Sequence, residues 1–205
     1  MNILAIGAHP DDIEIGCAGT IMQYKEGGAK VFIMVMSDGS FGGNAGTRRK
    51  EQELSAKIMK VDKIFWGGFK DTKLGYNIQD LINGIEIVLK KVKPSFIFTN
   101  HPKDTHQDHR FLAEAVTSAT RNARNVLFYE VPTSIDFSPT VFVDISPFMD
   151  RKLKALNAHA SQIDKTNIPG LDISKIAKSA AYFRGTQGRV EYAEGFNPLR
   201  LFISI

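Results

Sequence analysis

A chain of 205 residues is long enough to bury a full core and fits one domain, or one domain with an appended piece. With 43% apolar and 23% charged residues, a single cysteine (Cys17) and no strongly apolar run longer than residues 31–36, it excludes a disulfide framework and a membrane-spanning helix. The net charge of +4 is scattered, with Arg48-Arg49-Lys50 the only run of three basic residues; this argues against a nucleic-acid-binding stripe and leaves a mild preference for an anionic ligand.

The chain opens on an apolar run at 3–7 that meets His9 and two acids almost at once. It shows no basic region, long apolar stretch or cleavage site of a secretory signal, so a cytoplasmic protein is expected. Residues 16–26 then carry apolar positions at helical spacing. Runs at 31–36, 63–66, 95–99 and 126–131 repeat the strand pattern, and the intervals 47–60, 78–91 and 106–123 repeat the helical one. In the third helix Leu81, Ile82, Ile85, Val88 and Leu89 form one stripe. Strict alternation of continuous apolar strands with helices predicts an α/β fold, a Rossmann-like three-layer sandwich with a mostly parallel sheet. Beyond residue 131 the pattern loosens into a strand at 140–145, a helix at 146–163, a helix at 173–183 ending at Arg184-Gly185, and a closing strand at 199–205. Without a repeat or linker, one domain is expected over 1–205, with the core at 1–135 and a C-terminal elaboration at 136–205.

In such a sheet the first and fourth strands lie side by side where the winding reverses, and ligands bind at their carboxyl ends. Strand 1 ends at Ala8-His9-Pro10-Asp11-Asp12, and strand 4 runs into His101-Pro102-Lys103-Asp104-Thr105-His106-Gln107-Asp108-His109. The two richest clusters of metal-ligating residue types therefore meet at one place. His9 and Asp12, three apart on a turn stiffened by Pro10, can converge on a point that His109 completes. Two histidines and one carboxylate with open positions suit a catalytic zinc, and the same set suits ferrous iron. Asp11, beside Asp12, is the expected general base for water held at the metal. His106, if protonated, is the expected stabiliser of the oxyanion and proton donor to the leaving amine, with Asp108 holding its tautomer. Each residue also has a plain structural reading: Asp104 as the N-cap of the helix near His106, Asp11 and Asp12 as first-turn acids, His159 as a helix residue. Six such residues at one switch point outweigh those readings taken together.

The two segments resemble the motifs of the LmbE-like (PIG-L) family of metal-dependent N-deacetylases: a HPDD or HADD segment after the first strand and a PxDxHxDH segment after the fourth. Arg49-Lys50-Glu51-Gln52-Glu53, Ala158-His159-Ala160-Ser161-Gln162 and Tyr192-Ala193-Glu194-Gly195-Phe196 are similar as well, so the likeness spans the chain. It implies zinc on His9, Asp12 and His109, Asp11 as base, and His106 with Asp108 as the electrophilic pair. It further implies Arg49 as a substrate contact and a homo-oligomer, trimer or hexamer. Where relatives carry Pro-Asp-Gly after the third strand, this chain has Gly68-Phe69-Lys70-Asp71-Thr72-Lys73; Asp71 is kept as a substrate-binding candidate, but the rim is rewritten. The Gly-rich stretch 37–46 reads as a mobile rim or lid. The implied activity is hydrolysis of an N-acetyl (N-acyl) group from an amino sugar or glycoconjugate. The alternatives are an amidase of thiol-sugar conjugates or a secondary-metabolite deacylase with the same centre, an iron oxygenase, a nucleotide-binding module, and a noncatalytic zinc protein.

Overall fold

The structure, a computed structural model, describes residues 1–203. Strands β1 (Asn2–Gly7), β2 (Lys30–Ser37), β3 (Lys63–Phe69), β4 (Phe96–Asn100), β5 (Val126–Tyr129), β6 (Val141–Asp144) and β7 (Ala193–Arg200) form one seven-stranded sheet in the order β3-β2-β1-β4-β5-β7-β6. The first five are parallel, and β7 runs antiparallel to both β5 and β6. Helices α1 (Asp12–Glu26), α2 (Ala45–Ile58) and α5 (Met149–Asn157) cover one face, while α3 (Ile78–Val92) and α4 (Gln107–Ala119) cover the other; α6 (Ile173–Gly188) packs beside α5 and β7. The period of two along β1 sorts the core: Ile3 and Ala5 join the α1 side, Leu4 and Ile6 the α3–α4 side. No described helix is long and apolar enough to cross a membrane.

The expected three-layer α/β architecture is the observed one, and the differences lie at element ends and in the last third. On α3 the buried stripe is Leu81, Ile85, Val88 and Val92, with Ile82 and Leu89 half-buried at its edges. The helix expected at 146–163 is a short 3₁₀ turn at Ser146–Phe148 followed by α5, which stops at Asn157. Gly185 does not end α6. It lies inside the helix, where the Glu191 carbonyl oxygen of the returning chain presses so close that a Cβ would clash. The closing strand is also displaced: β7 spans Ala193–Arg200, and residues 204–205 of the expected strand lie outside the described residues. Its Gly195 and Pro198 mask a strand pattern, and Pro198 is accommodated at a register shift against β5.

The winding turns one way from β1 through β2 to β3 and the other way from β4 to β5, so the carboxyl ends of β1 and β4 flank the switch point. Asn100 ties the two ends together. Its Oδ1 accepts the Ala8 N–H at 3.2 Å and lies 3.1 Å from the Tyr129 hydroxyl, which also reaches the Ile6 carbonyl oxygen at 2.9 Å.

Candidate active site

The turn after β1 aims its side chains by backbone geometry. Asp11 takes a left-handed conformation (φ 98°), which turns it away from Asp12, the first residue of α1. The Asp12 Oδ2 accepts the His9 N–H at 2.9 Å, closing the turn. From the other loop, His106 caps α4: its Nδ1 accepts the Asp108 N–H at 3.2 Å, and His109 follows one turn later.

His9, Asp12 and His109 come together, all buried. His9 Nδ1 lies 3.2 Å from His109 Nε2 and 3.6 Å from Asp12 Oδ2, and His109 Nε2 lies 3.3 Å from Asp12 Oδ1. A tetrahedral zinc at its usual ligand distances has donor–donor edges of about 3.3 Å, which the spacing of the two histidine nitrogens matches, while Asp12 meets each ring with a different carboxylate oxygen. The far nitrogens are held by carboxylates. His9 Nε2 lies 3.1 Å from Asp71 Oδ1 and 3.3 Å from Asp108 Oδ2, and His109 Nδ1 lies 3.1 Å from Asp104 Oδ2. Ring protons on the far side would pair with those carboxylates and leave the facing nitrogens able to hold a metal. Asp71 and Asp108 lie within ligand reach of His9, but on its Nε2 side, so they orient the ring. His106 also brings a nitrogen within 4.8 Å of those of His9 and His109, its ring 4.6 Å from that of His9.

The electrostatics describe a cation site. Burial alone lowers a histidine pKa, yet Asp108, Asp12 and Asp71 hold His9 well above its ordinary value, and Asp12 and Asp104 hold His109 up to about 9. Burial likewise opposes ionisation of Asp12, but His109 and His9 keep it well below the usual carboxylate range. His106 goes the other way: burial, then the charges of His9 and His109, push it down. With Nδ1 accepting a backbone N–H, its neutral ring offers an Nε2–H.

Asp11 stands beside this group with a carboxyl that burial raises to about 6, against the lowering pull of Arg48. Its Oδ2 accepts from Arg48 Nη2 at 3.0 Å and its N–H donates to Gln52 Oε1 at 3.2 Å. Gln52 in turn donates to Glu14 at 2.6 Å, in a buried cluster with Ser55 and His159.

Two expectations need correction. Arg49 is not brought to the site; it is exposed, paired with Glu53 at 3.2 Å and stacked 4.4 Å over Trp66. The residue in the cavity is its neighbour Arg48, buried, whose guanidinium donates to the carbonyls of Pro10 and Gly39 as well as to Asp11. The buried face of α2 runs Arg48, Gln52, Ser55, Ala56, and that spacing distinguishes 48 from 49. Asp108 does not hold His106 by its carboxylate, which instead reaches His9 and accepts the N–H groups of Thr72 at 2.7 Å and Leu74 at 3.4 Å. Asp71 lines the cavity against His9, its other oxygen accepting the Phe41 N–H at 2.9 Å. Asp104, weighed in the sequence only as a cap, holds both the His106 N–H (2.8 Å) and the His109 ring. The glycine loop is a tied rim, fastened by Arg48 to Gly39, by Asp71 to Phe41 and by Gln162 to Gly42 at 3.2 Å. His9, Asp11, Asp12, Arg48, Asp71, His106 and His109 line a cavity of ≈ 630 Å³, within the range of small-molecule sites.

Comparison with known proteins agrees along most of the chain. The family model PIG-L, described as GlcNAc-PI de-N-acetylase, matches residues 4–120. The uncharacterized deacetylase YaiS of Escherichia coli is 34% identical over 168 residues, covering 78% of this chain and 91% of that protein. The diacetylchitobiose deacetylase of Thermococcus kodakarensis is 31% identical over 224 positions, covering 95% of this chain and 81% of that one. Among solved structures, N,N'-diacetylchitobiose deacetylase from Pyrococcus horikoshii superposes with a TM-score of 0.85 at 27% identity, over 97% of this chain and 83% of that chain.

Proposed function

The chain belongs to the PIG-L (LmbE-like) deacetylase family, and from that premise we propose that it is a zinc-dependent hydrolase releasing acetate from the nitrogen of an N-acetylated amino sugar or glycoconjugate. The observation that carries the reading is the pair of facing nitrogens, His9 Nδ1 and His109 Nε2, each oriented by a carboxylate on its far side and joined by Asp12.

His9, Asp12 and His109 would hold the metal. Such an ion supplies Lewis acidity, lowering the pKa of water and polarising the amide carbonyl. Asp11 takes the proton of the attacking water, a task suited to a carboxyl raised to about 6, and delivers it to the departing nitrogen. The His106 Nε2–H donates to the carbonyl oxygen as that atom gains charge. Arg48 keeps the Asp11 carboxylate aimed, and Asp104, Asp71 and Asp108 keep the two ligand rings from turning. Acetate and a free primary amine result.

The test is release of primary amine from free, nucleotide-linked and thiol-linked N-acetylated sugars by purified protein. Release that a chelator abolishes and zinc restores is expected. No amine from any of the three classes at full zinc loading would refute the reading.

A further inference from the structure

The cavity has two chemically different ends. The inner end carries the ionisable groups His9, Asp11, Asp12, Arg48, His106 and His109. Elsewhere the wall is mixed: Thr72, Thr133, Gln162, Thr166 and Asn167 are polar, and one aliphatic face is built from Ile15, Val131, Pro132, Ile173 and Ile176. Phe41 and Ile168 border the same cavity with 78% and 54% of their surface exposed. Apolar side chains scattered singly on a surface are ordinary. Two at one cavity with an aliphatic face extend an apolar patch that folding does not use.

Charge narrows the ligand. Besides the histidines, the cationic residues lining the cavity are Arg48 and Lys165, and both are engaged. Arg48 is spent on the Pro10 and Gly39 carbonyls and on Asp11, and Lys165 donates to the Gly42 carbonyl. Only Arg48 is charge-compensated, by Asp11, while Lys165 keeps its charge at the exposed rim; among the described residues the buried part of the cavity therefore offers no uncompensated guanidinium or ammonium to a carboxylate or phosphate.

The aliphatic wall is also not backed by solid core. Ile15, Val131, Pro132 and Ile176 are shared with a second cavity of ≈ 170 Å³, which Ala177 and Ala181 line together with the ion pairs Lys152–Glu194 and Arg184–Glu130. A wall with space behind it yields to a bulky group, whereas a close-packed one resists a single methylene.

We propose that the substrate carries a neutral, apolar group beside its N-acylated amine, and that this group seats on the Ile15–Pro132–Ile176 wall under Phe41 and Ile168. The proposal rests on the hydrolase reading of the same cavity. The hydrocarbon has two sources, the aglycone of the sugar or a longer acyl chain, and both meet the wall with the same chemistry.

Calorimetric binding to the zinc-loaded full chain, carrying Asp11→Asn to stop turnover, tests it. Four ligands are compared: N-acetylglucosamine, its hexyl glycoside, N-hexanoylglucosamine, and an N-acetylglucosaminide of a dicarboxylic acid. One or both hexyl ligands should bind about tenfold tighter than N-acetylglucosamine, the gain from burying a pair of methylenes, and the diacid should not. Which hexyl ligand gains identifies the source. Phe41→Ser and Ile168→Ser, both at exposed positions, should shrink the gain. Equal binding of all four, tightest binding by the diacid, or a gain untouched by both substitutions would overturn the proposal. Amine release by the unsubstituted zinc-loaded protein from the three sugar classes and from both hexyl ligands, run in parallel, separates the two readings. Release from none of them with the hexyl gain intact removes the hydrolase, and release without the gain removes the apolar seat.

Discussion

Asp11 is held in a left-handed backbone that costs a non-glycine residue about 1–2 kcal/mol, and Arg48 and Gln52 fix it there from both sides. Strain of that kind persists where the surroundings over-determine it, and here they aim one carboxylate. Asp11→Asn should therefore lower turnover by about 10²–10⁴-fold while metal analysis finds the same zinc content. Activity within a few-fold of the parent would remove Asp11 as base. Asp104 makes a different prediction, because its carboxylate meets the far side of His109, the cap of α4 and the Ser134 hydroxyl rather than the facing nitrogens. Asp104→Ala should weaken zinc binding by about 10–100-fold in competition with a chromophoric chelator; unchanged affinity would mean that Asp104 serves the helix alone. The sequence displayed His9, Asp12 and His109 because ligand chemistry follows residue type and short spacing. Arg48 escaped because it differs from Arg49 only in helical phase, and the start of α2 fixes that phase. The carboxylates of Asp71 and Asp108 were visible as residues, but their shared partner His9 is a product of the fold.

At the scale of elements, α1 shows how a distant strand supports the site. Its backbone breaks at Cys17 (φ −149°), freeing hydrogen-bonding groups on both sides of the break. Glu194 of β7 accepts the N–H groups of Gly19 at 2.9 Å and Thr20 at 2.8 Å, and Lys152 of α5 donates to the Ile15 carbonyl at 2.7 Å. The two side chains pair with each other at 2.5 Å, both buried. The ion pair thus acts as an internal cap for a broken helix whose first turn carries Asp12. Glu194→Gln keeps the shape but strands the Lys152 charge, so it should lower unfolding stability by about 3–5 kcal/mol in a denaturant titration. A loss under about 1 kcal/mol would show that water or a neighbour satisfies the lysine. Strands β1 to β5 and the helices between them were legible because continuous apolar runs and three-four spacing are local properties. Strand β7 was not, since Gly195 and Pro198 hide its pattern and Glu194 acts on residues 175 and 174 positions away.

For the molecule as a whole, strand order joins two loops nearly a hundred residues apart into one charged group, and the alternation of strands and helices made that meeting point predictable. Its consequence is a competition between protons and metal. Without metal, His9 and His109 are held protonated by Asp12 and the outer carboxylates, and His109 titrates only at about 9. A histidine whose folded pKa is raised from about 6.5 gives its full stabilisation below that value and loses it as pH climbs towards 9. The metal-free protein should therefore melt at progressively lower temperature across that window. Asp11, raised to about 6, has the opposite charge type but the same slope: its burial destabilises progressively as pH rises from the ordinary carboxylate range to 6, below the window of interest. Zinc held by the facing nitrogens would replace their protons, so its binding would strengthen as they leave, and ligand linkage would raise stability by about 2.7 kcal/mol at a hundredfold excess over Kd. The gap in Tm between zinc-loaded and chelator-treated protein should widen from pH 6.5 to 9. A gap that stays constant or narrows would mean that the metal-free cluster does not hold protons between its histidines, and that zinc meets no competition for them.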